Sequence, residues 1–293
     1  MSAFLVGRDV DRRDAGAGAG DRRAAPVLEL RQYTLHPGMR DTLIQIFEDH
    51  FIEGQEACGM RIIGQFRDLD DLDRFVWLRE FDGMDARAQA LDAFYTGPVW
   101  LTQRDAANAT MIDWRDVLLL KPASGETGFA FDATQRAAAQ PGQPAQSGRG
   151  EASAQPALAQ SGLPGGILIA TIYTLDPQQG PTSAAFATWF RETAVPRLAQ
   201  AGISVLAQLV TESAPNSYPR LPVREGEQVF VWFAAYPDRA SHVAAVRDLE
   251  RQHAWRDEVS PALRTLTKGE PQQLALSPTR RSCLTYRAGG RTR

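Results

Sequence analysis

The sequence predicts an α+β protein. It reads as two tandem β-α-β-β-α-β units of ferredoxin-like order, packed sheet to sheet within one chain. Three observations carry this. Tyr-Thr-Leu, one residue and Pro stand at Tyr33–Pro37 and again at Tyr173–Pro177. Trp77 to Trp100 is 23 residues, and so is Trp232 to Trp255. The step from Gly59 to Gln65 recurs from Gly202 to Gln208. Such a series points to internal duplication, and the element order is the ferredoxin-like one. A unit of this kind covers one sheet face with helices and leaves the other bare. A second copy covers that bare face and closes a barrel.

In the first block, Val27–Leu35 alternates as a strand, and His36-Pro37-Gly38 is turn chemistry. Leu43, Phe47 and Phe51 recur at helical spacing through about 39–57, and Gly59 suits the residue after a helix end. "MRIIGQFRD" and "RFVWLREF" read as the second and third strands, separated by "DLDDLD". Helical material fills 84–106, and "MIDWRDVLLL" is a fourth strand stopped at Pro122. The second block repeats the order: strand 167–175, helix near 183–200, strand "ISVLAQLV", a longer loop over 211–226, and strand "QVFVWFAAY". Helical material to about 266 and a last strand near Leu274 complete it.

Composition sets the remaining boundaries. Residues 1–26 lack apolar periodicity and read as a disordered arm. Residues 123–165 are rich in Pro, Gly, Ser, Gln and Ala and read as a flexible linker. Phe129 and Phe131 within it read as solvated, with a small docking spot as the alternative. The tail, 279–293, carries five Arg and no acid, and reads as solvated, with a weak anion-binding tail as the alternative. The ordered domains are therefore 27–122 and 166–278.

The balance of 32 basic and 35 acidic residues argues against a nucleic-acid binder, which needs a strongly basic surface. Cys58 and Cys283 have no metal or redox spacing and fit a reducing, cytoplasmic compartment. No apolar run approaches the roughly 20 residues of a membrane span.

"ELRQYTLHPG", the central Gly59, "FVWLREFDGMDAR" and the later Trp100 resemble the NIPSNAP family. The resemblance covers both blocks and is better in the first. In the second, Ile169 and Thr171 replace the charged positions and only Tyr173 survives. It implies a dimeric α+β barrel, here an intramolecular pseudo-dimer that allows further homo-oligomers. The family's biochemical activity is poorly defined. Related barrels include cofactor-free oxygenases, isomerases and haem-dependent enzymes.

Alternation puts Glu29, Arg31 and Tyr33 on one face of the first strand, Arg61 and Gln65 on one face of the second, and Trp77 and Arg79 on one face of the third. The complementary faces are more apolar. On that ground the mixed face is expected to look into the barrel and the apolar face to meet the helices. Between copies, Glu29 becomes Ile169, Arg31 becomes Thr171, Arg61 becomes Ser204 and Arg79 becomes Ala234. Gln65, Tyr33 and Trp77 persist as Gln208, Tyr173 and Trp232.

The first copy is thus expected to hold an Arg-bearing ligand site of Glu29, Arg31, Tyr33, Arg61, Gln65, Trp77 and Arg79. The second is expected to be a packing partner. A structural ion-pair network is the competing reading of the same residues. The ligand class that fits is small, partly apolar or anionic, because Arg donates to oxyanions in a planar fork; a protein partner is the other binding reading. The enzymatic alternative is a cofactor-free monooxygenase or isomerase. There Arg31 and Arg79 would stabilise an enolate-like anion while Tyr33 or His36 moves a proton. His36, His50, His242 and His253 form no metal pattern, and "DLDDLD" lacks the glycine and glutamate of a calcium loop. No cofactor fingerprint is present, so neither metal nor cofactor is expected.

Overall fold

The computed structural model describes residues 26–138, 166–176, 178 and 180–286. The arm over 1–25, the stretch 139–165 and the tail end 287–293 lie outside the described residues.

The first half runs β1 (Val27–Leu35), α1 (Arg40–Ile46), a π-helical turn (Phe47–Phe51), α2 (Ile52–Glu56), β2 (Arg61–Asp68), β3 (Arg74–Phe81), α3 (Met84–Thr96), α4 (Pro98–Asn108) and β4 (Met111–Pro122). The second half runs β5 (Ile167–Leu175), α5 (Ser183–Trp189), a π turn (Phe190–Ala194), α6 (Val195–Gln200), β6 (Val205–Thr211) and β7 (Gln228–Tyr236). It ends with α7 (Arg239–Arg251), a π turn (Trp255–Val259), α8 (Ser260–Leu266) and β8 (Gln272–Pro278).

All eight strands join in one closed antiparallel barrel of order β1-β3-β2-β8-β5-β7-β6-β4. The halves meet edge to edge at two seams. Phe66 faces Pro278 where β2 meets β8, and Leu120 faces Thr211 where β4 meets β6. Closure leaves no free sheet edge between the halves.

The barrel interior is apolar. Leu28, Leu30, Val76, Leu78, Leu118 and Leu120 from the first half meet Leu168, Ile172, Val231, Phe233 and Leu276 from the second. This reverses the expected orientation of the first sheet. Its mixed face, with Glu29, Arg31, Tyr33, Trp77 and Arg79, lies under the helices, and its apolar face lines the barrel. Alternation fixes which residues share a face but not which way that face points. The inward face of the second half is lined mainly by apolar side chains and carries no charged group in that core, so a charged inward face opposite it would be left unpaired.

A β-bulge sits at the same place in each half. Ile62 pairs with Arg79 and Gly64 with Leu78, so Ile63 is the extra residue; Leu206 is its counterpart between Val205 and Ala207. An extra residue unpairs the ladder and flips the alternation. In each half the backbone just beyond the bulge pairs with a segment that follows a seam strand. Thr279 N donates to Gln65 O at 2.8 Å, and Ala123 N donates to Gln208 O at 2.9 Å.

These segments do not behave as composition predicts. Phe129 and Phe131 are not solvated: they pack on the barrel core, and the Phe129 ring meets Phe233 at 4.9 Å between centroids. Leu284 in the tail joins the same core. Arg281 is buried, donates to the carbonyls of Glu48 and Ala137, and pairs with Glu53. The start of the basic tail is held because Arg280 and Arg281 reach the carboxylates of Glu48 and Glu53 and the carbonyls of Glu48, Ala137 and Ala138.

Among the described residues no helix is long and apolar enough to cross a membrane, and no group of His, Cys, Asp or Glu is arranged to hold a metal ion.

Candidate functional site

Glu29 sits in the middle of β1, directly opposite Arg79 of β3. Its Oε2 accepts from Arg31 Nη1 at 2.6 Å and from Arg79 Nε at 2.8 Å. Its Oε1 accepts from Arg87 Nε at 2.7 Å, a residue of α3. Arg79 Nη2 and Arg87 Nη2 also lie 2.7 Å from the carboxylate but off the hydrogen-bonding direction. All four side chains are fully buried. One carboxylate therefore faces three guanidinium groups, and the cluster holds two surplus positive charges.

Burial alone would push the Glu29 carboxyl up. The charges of Arg79, Arg31 and Arg87 overcome that and hold it well below the usual carboxylate range. Burial pulls Arg87 below its ordinary value despite Glu29. Arg31 is held above its ordinary value although burial opposes it, because Tyr33 and Glu29 oppose burial more strongly.

The cluster touches a cavity through its outer partners. Arg31 Nε donates to Tyr33 Oη at 2.9 Å, and Arg79 Nη1 donates to Gln55 Oε1 at 2.8 Å. The Arg79 guanidinium lies 4.9 Å and that of Arg31 5.5 Å from the Trp77 ring centre, within cation–π range. Tyr33, Gln55 and Trp77 all line a cavity of about 320 Å³ between the sheet and the helices. Phe47, Phe51, Phe94, Tyr95 and Trp100 form much of its remaining wall. The π turn at Phe47–Phe51 brings Phe47 onto Trp77 at 4.8 Å and Phe51 onto Phe94 at 5.7 Å. Such turns are frequent at functional sites.

The loop between β6 and β7, residues 212–227, crosses from the second half to close this cavity. Tyr218 and Leu221 are buried in the first half's helix-side core, and Asn216 and Ser217 accept from Arg87 Nη1 at 3.0 and 3.1 Å.

The sequence-predicted residues separate into two groups. Glu29, Arg31, Tyr33, Trp77 and Arg79 come together, on the helix side rather than inside the barrel. Gln65 is fully buried opposite Trp77 but does not line the cavity. Arg61 is not part of the group: the bulge at Ile63 turns it to the barrel rim, where it pairs with Glu80 at 2.8 Å and Asp82 at 2.7 Å. His36 is exposed in its turn and does not line the cavity, so it has no proton to move there.

Sequence reasoning missed Gln55, Arg87 and Asn216. A copy comparison extended to the helices carries a signal for the first two. At the spacing that aligns Gly59 with Gly202, Gln55 falls on Leu198; at the spacing that aligns Trp77 with Trp232, Arg87 falls on His242. The second half fills its corresponding space with Phe186, Phe190, Leu198 and Trp232.

The NIPSNAP family model matches residues 28–125, so the first half carries a NIPSNAP domain. A search of the curated proteins finds no match. Among solved structures, a "putative monooxygenase" from Fusobacterium nucleatum is 9% identical, with a TM-score of 0.52. The match covers 90% of this chain and 98% of that one. At that identity the likeness concerns the fold alone. A NIPSNAP-like domain protein from Burkholderia xenovorans is 24% identical over 36% of this chain and 90% of its own, with a TM-score of 0.33. A NIPSNAP family protein from Agrobacterium tumefaciens is 22% identical over 34% and 90%, with a TM-score of 0.32.

Proposed function

We propose that the protein is a tandem pair of ferredoxin-like units, a pseudo-dimer in a cytoplasmic setting, in which the first unit binds a small planar ligand. The observation that carries this reading is the cavity with Tyr33, Gln55 and Trp77 as its floor. Its volume stands at the lower end of the range for small-molecule sites, about 300–1,000 Å³. Nine of its sixteen lining residues are aromatic, which suits a flat ring system better than a flexible chain. The surplus charge beneath Trp77 makes the floor electropositive and favours a ligand oxygen that bears negative charge. Tyr33 Oη accepts from Arg31, so its own proton is free to be donated to that oxygen.

The same hydroxyl favours a second reading, a cofactor-free monooxygenase or isomerase. Burial raises the Tyr33 pKa despite the opposing Arg31 charge, so the hydroxyl stays protonated at neutral pH. A protonated donor facing a bound carbonyl would stabilise an enolate-like anion. Oxygen uptake or isomerisation with a hydroxylated aryl compound, lost in Tyr33→Phe, would favour this reading over binding alone.

The binding reading is tested by fluorescence titration with N-phenyl-1-naphthylamine, a neutral ring probe. It predicts saturable binding at one site per chain that disappears in Leu221→Trp, where a larger side chain fills the cavity from the loop. Absence of saturable binding, or binding unchanged by Leu221→Trp, would overturn it.

A further inference from the structure

By sequence the β6–β7 loop belongs to the second half, but its contacts are with the first. Its counterpart, the turn between β2 and β3, has only residues 69–73 and offers one apolar side chain, Leu69, to the second half's helix-side core. The β6–β7 loop runs from 212 to 227 and places Tyr218, Arg220 and Leu221 on the cavity wall. The Tyr218 ring lies nearly parallel to Tyr95 of α3, 6.3 Å away.

Two features of the loop bear on what the cavity selects. Arg220 is the one charged residue among those lining the cavity, and no carboxylate lines it. Arg220 is exposed at the mouth beside the Tyr218 hydroxyl, with Asp92 as its acidic neighbour. The mouth and the floor are therefore both electropositive. The tip of the loop is also held through Asn216. Asn216 Oδ1 accepts from Arg87 Nη1 at 3.0 Å and from Tyr218 N at 3.1 Å, while Asn216 Nδ2 donates to Leu221 O at 2.8 Å. The same Arg87 pairs with Glu29, so the loop is anchored to the buried charge cluster.

We propose that this loop is the specificity element of the first-half pocket: Arg220 selects aromatic ligands that carry an anionic group, and Asn216 is the positioning residue that holds Arg220 over the mouth. The inference rests on the cavity being a ligand site. A site between two electropositive surfaces with apolar walls raises the local concentration of anions and excludes cations. The contribution of Arg220 lies between that of an exposed ion pair and that of a charge-assisted hydrogen bond.

The test compares two probes of similar ring shape in the full-length protein. 8-Anilinonaphthalene-1-sulfonate carries an anionic group, and N-phenyl-1-naphthylamine does not. The wild type is expected to bind the sulfonate more tightly. Arg220→Gln should weaken the sulfonate about three- to tenfold and leave the neutral probe within about twofold. Asn216→Ala should weaken both probes, and Asn216→Asp, which keeps the acceptor for Arg87 and Tyr218 N but loses the donor to Leu221 O, should restore them only in part. A positioning role predicts that Asn216→Ala keeps the wild-type melting temperature within a few degrees while probe affinity falls; affinity and melting temperature falling together would overturn it. Equal affinity of the two probes in the wild type, or an Arg220→Gln variant that treats both alike, would overturn the proposal while leaving the pocket intact. Failure of the neutral probe to bind would instead remove the pocket reading beneath it.

Discussion

Arg87 of α3 donates from Nε to Glu29 and from Nη1 to Asn216, at 2.7 and 3.0 Å. One guanidinium thus joins the buried centre of the first sheet to a loop of the second half. The buried charge, the cavity and the inter-half contact are therefore parts of one arrangement, and substitutions in one are expected to register in the others.

Glu29→Gln should be severe. It leaves three fully buried guanidinium groups without their shared carboxylate. Loss of one partner from a buried ion pair costs about 3–5 kcal/mol. Arg31→Met should cost less, because Glu29 keeps Arg79 and Arg87 and the surplus charge falls. Urea unfolding of both variants checks the order; a larger loss for Arg31→Met would contradict this account of the cluster.

Acid should destabilise the wild type through the same carboxylate. The folded-state pKa of Glu29 is depressed below its ordinary value of 4.5. Its contribution is therefore complete above the unfolded-state carboxylate pKa and is lost as pH falls toward the folded value. Melting temperatures taken from about pH 6 down to about pH 3 should fall more steeply for the wild type than for Glu29→Gln. Parallel curves would mean that Glu29 is not the group being titrated.

Trp77 and Trp232 stand at matched sites in the two halves and are 2% and 8% exposed. Truncation of either to Ala should cost roughly 3–5 kcal/mol, the usual range for a large aromatic in a packed core. Trp77→Ala should also enlarge the cavity and alter probe binding, while Trp232→Ala should leave binding nearly unchanged. A loss below about 1 kcal/mol at either site would contradict its packing.

The two halves should stay together after the chain is cut. Each seam pairs strands from both halves, and Phe129 packs onto Phe233 across the barrel core. A protease site engineered near residue 150 and then cleaved should leave one particle on a sizing column. Two separate, stably folded monomers would contradict the pseudo-dimer.

Much of the fold could be read in the sequence because its signals are local. The strand at Ile167–Leu175 and the one at Gln228–Tyr236 have the bounds read from their apolar runs and the repeated element order. The grouping of Glu29, Arg31 and Arg79 was also legible, since alternation and pairing decide which side chains are neighbours. The direction of their face was not, because it depends on what the other half presents across the barrel. Arg61 was misplaced by one bulged residue, Ile63, which local alternation does not reveal. Phe129, Leu284 and Arg281 were misread because composition reports average polarity. A few apolar side chains and a guanidinium within reach of Glu48 and Glu53 suffice to dock a polar segment. Gln55 and Asn216 reach the site from a helix and a distant loop, where strand-face reasoning has no purchase.

The central claim is that the first half holds the ligand pocket and the second half closes it. Hydrogen–deuterium exchange with and without N-phenyl-1-naphthylamine tests this most directly. The account predicts added protection in two places at once: the helix segments around Phe47–Gln55 and Phe94–Trp100, and the loop around Asn216–Leu221. Protection confined to Phe186–Leu198 and α7 of the second half, or no protection at the β6–β7 loop, would contradict it.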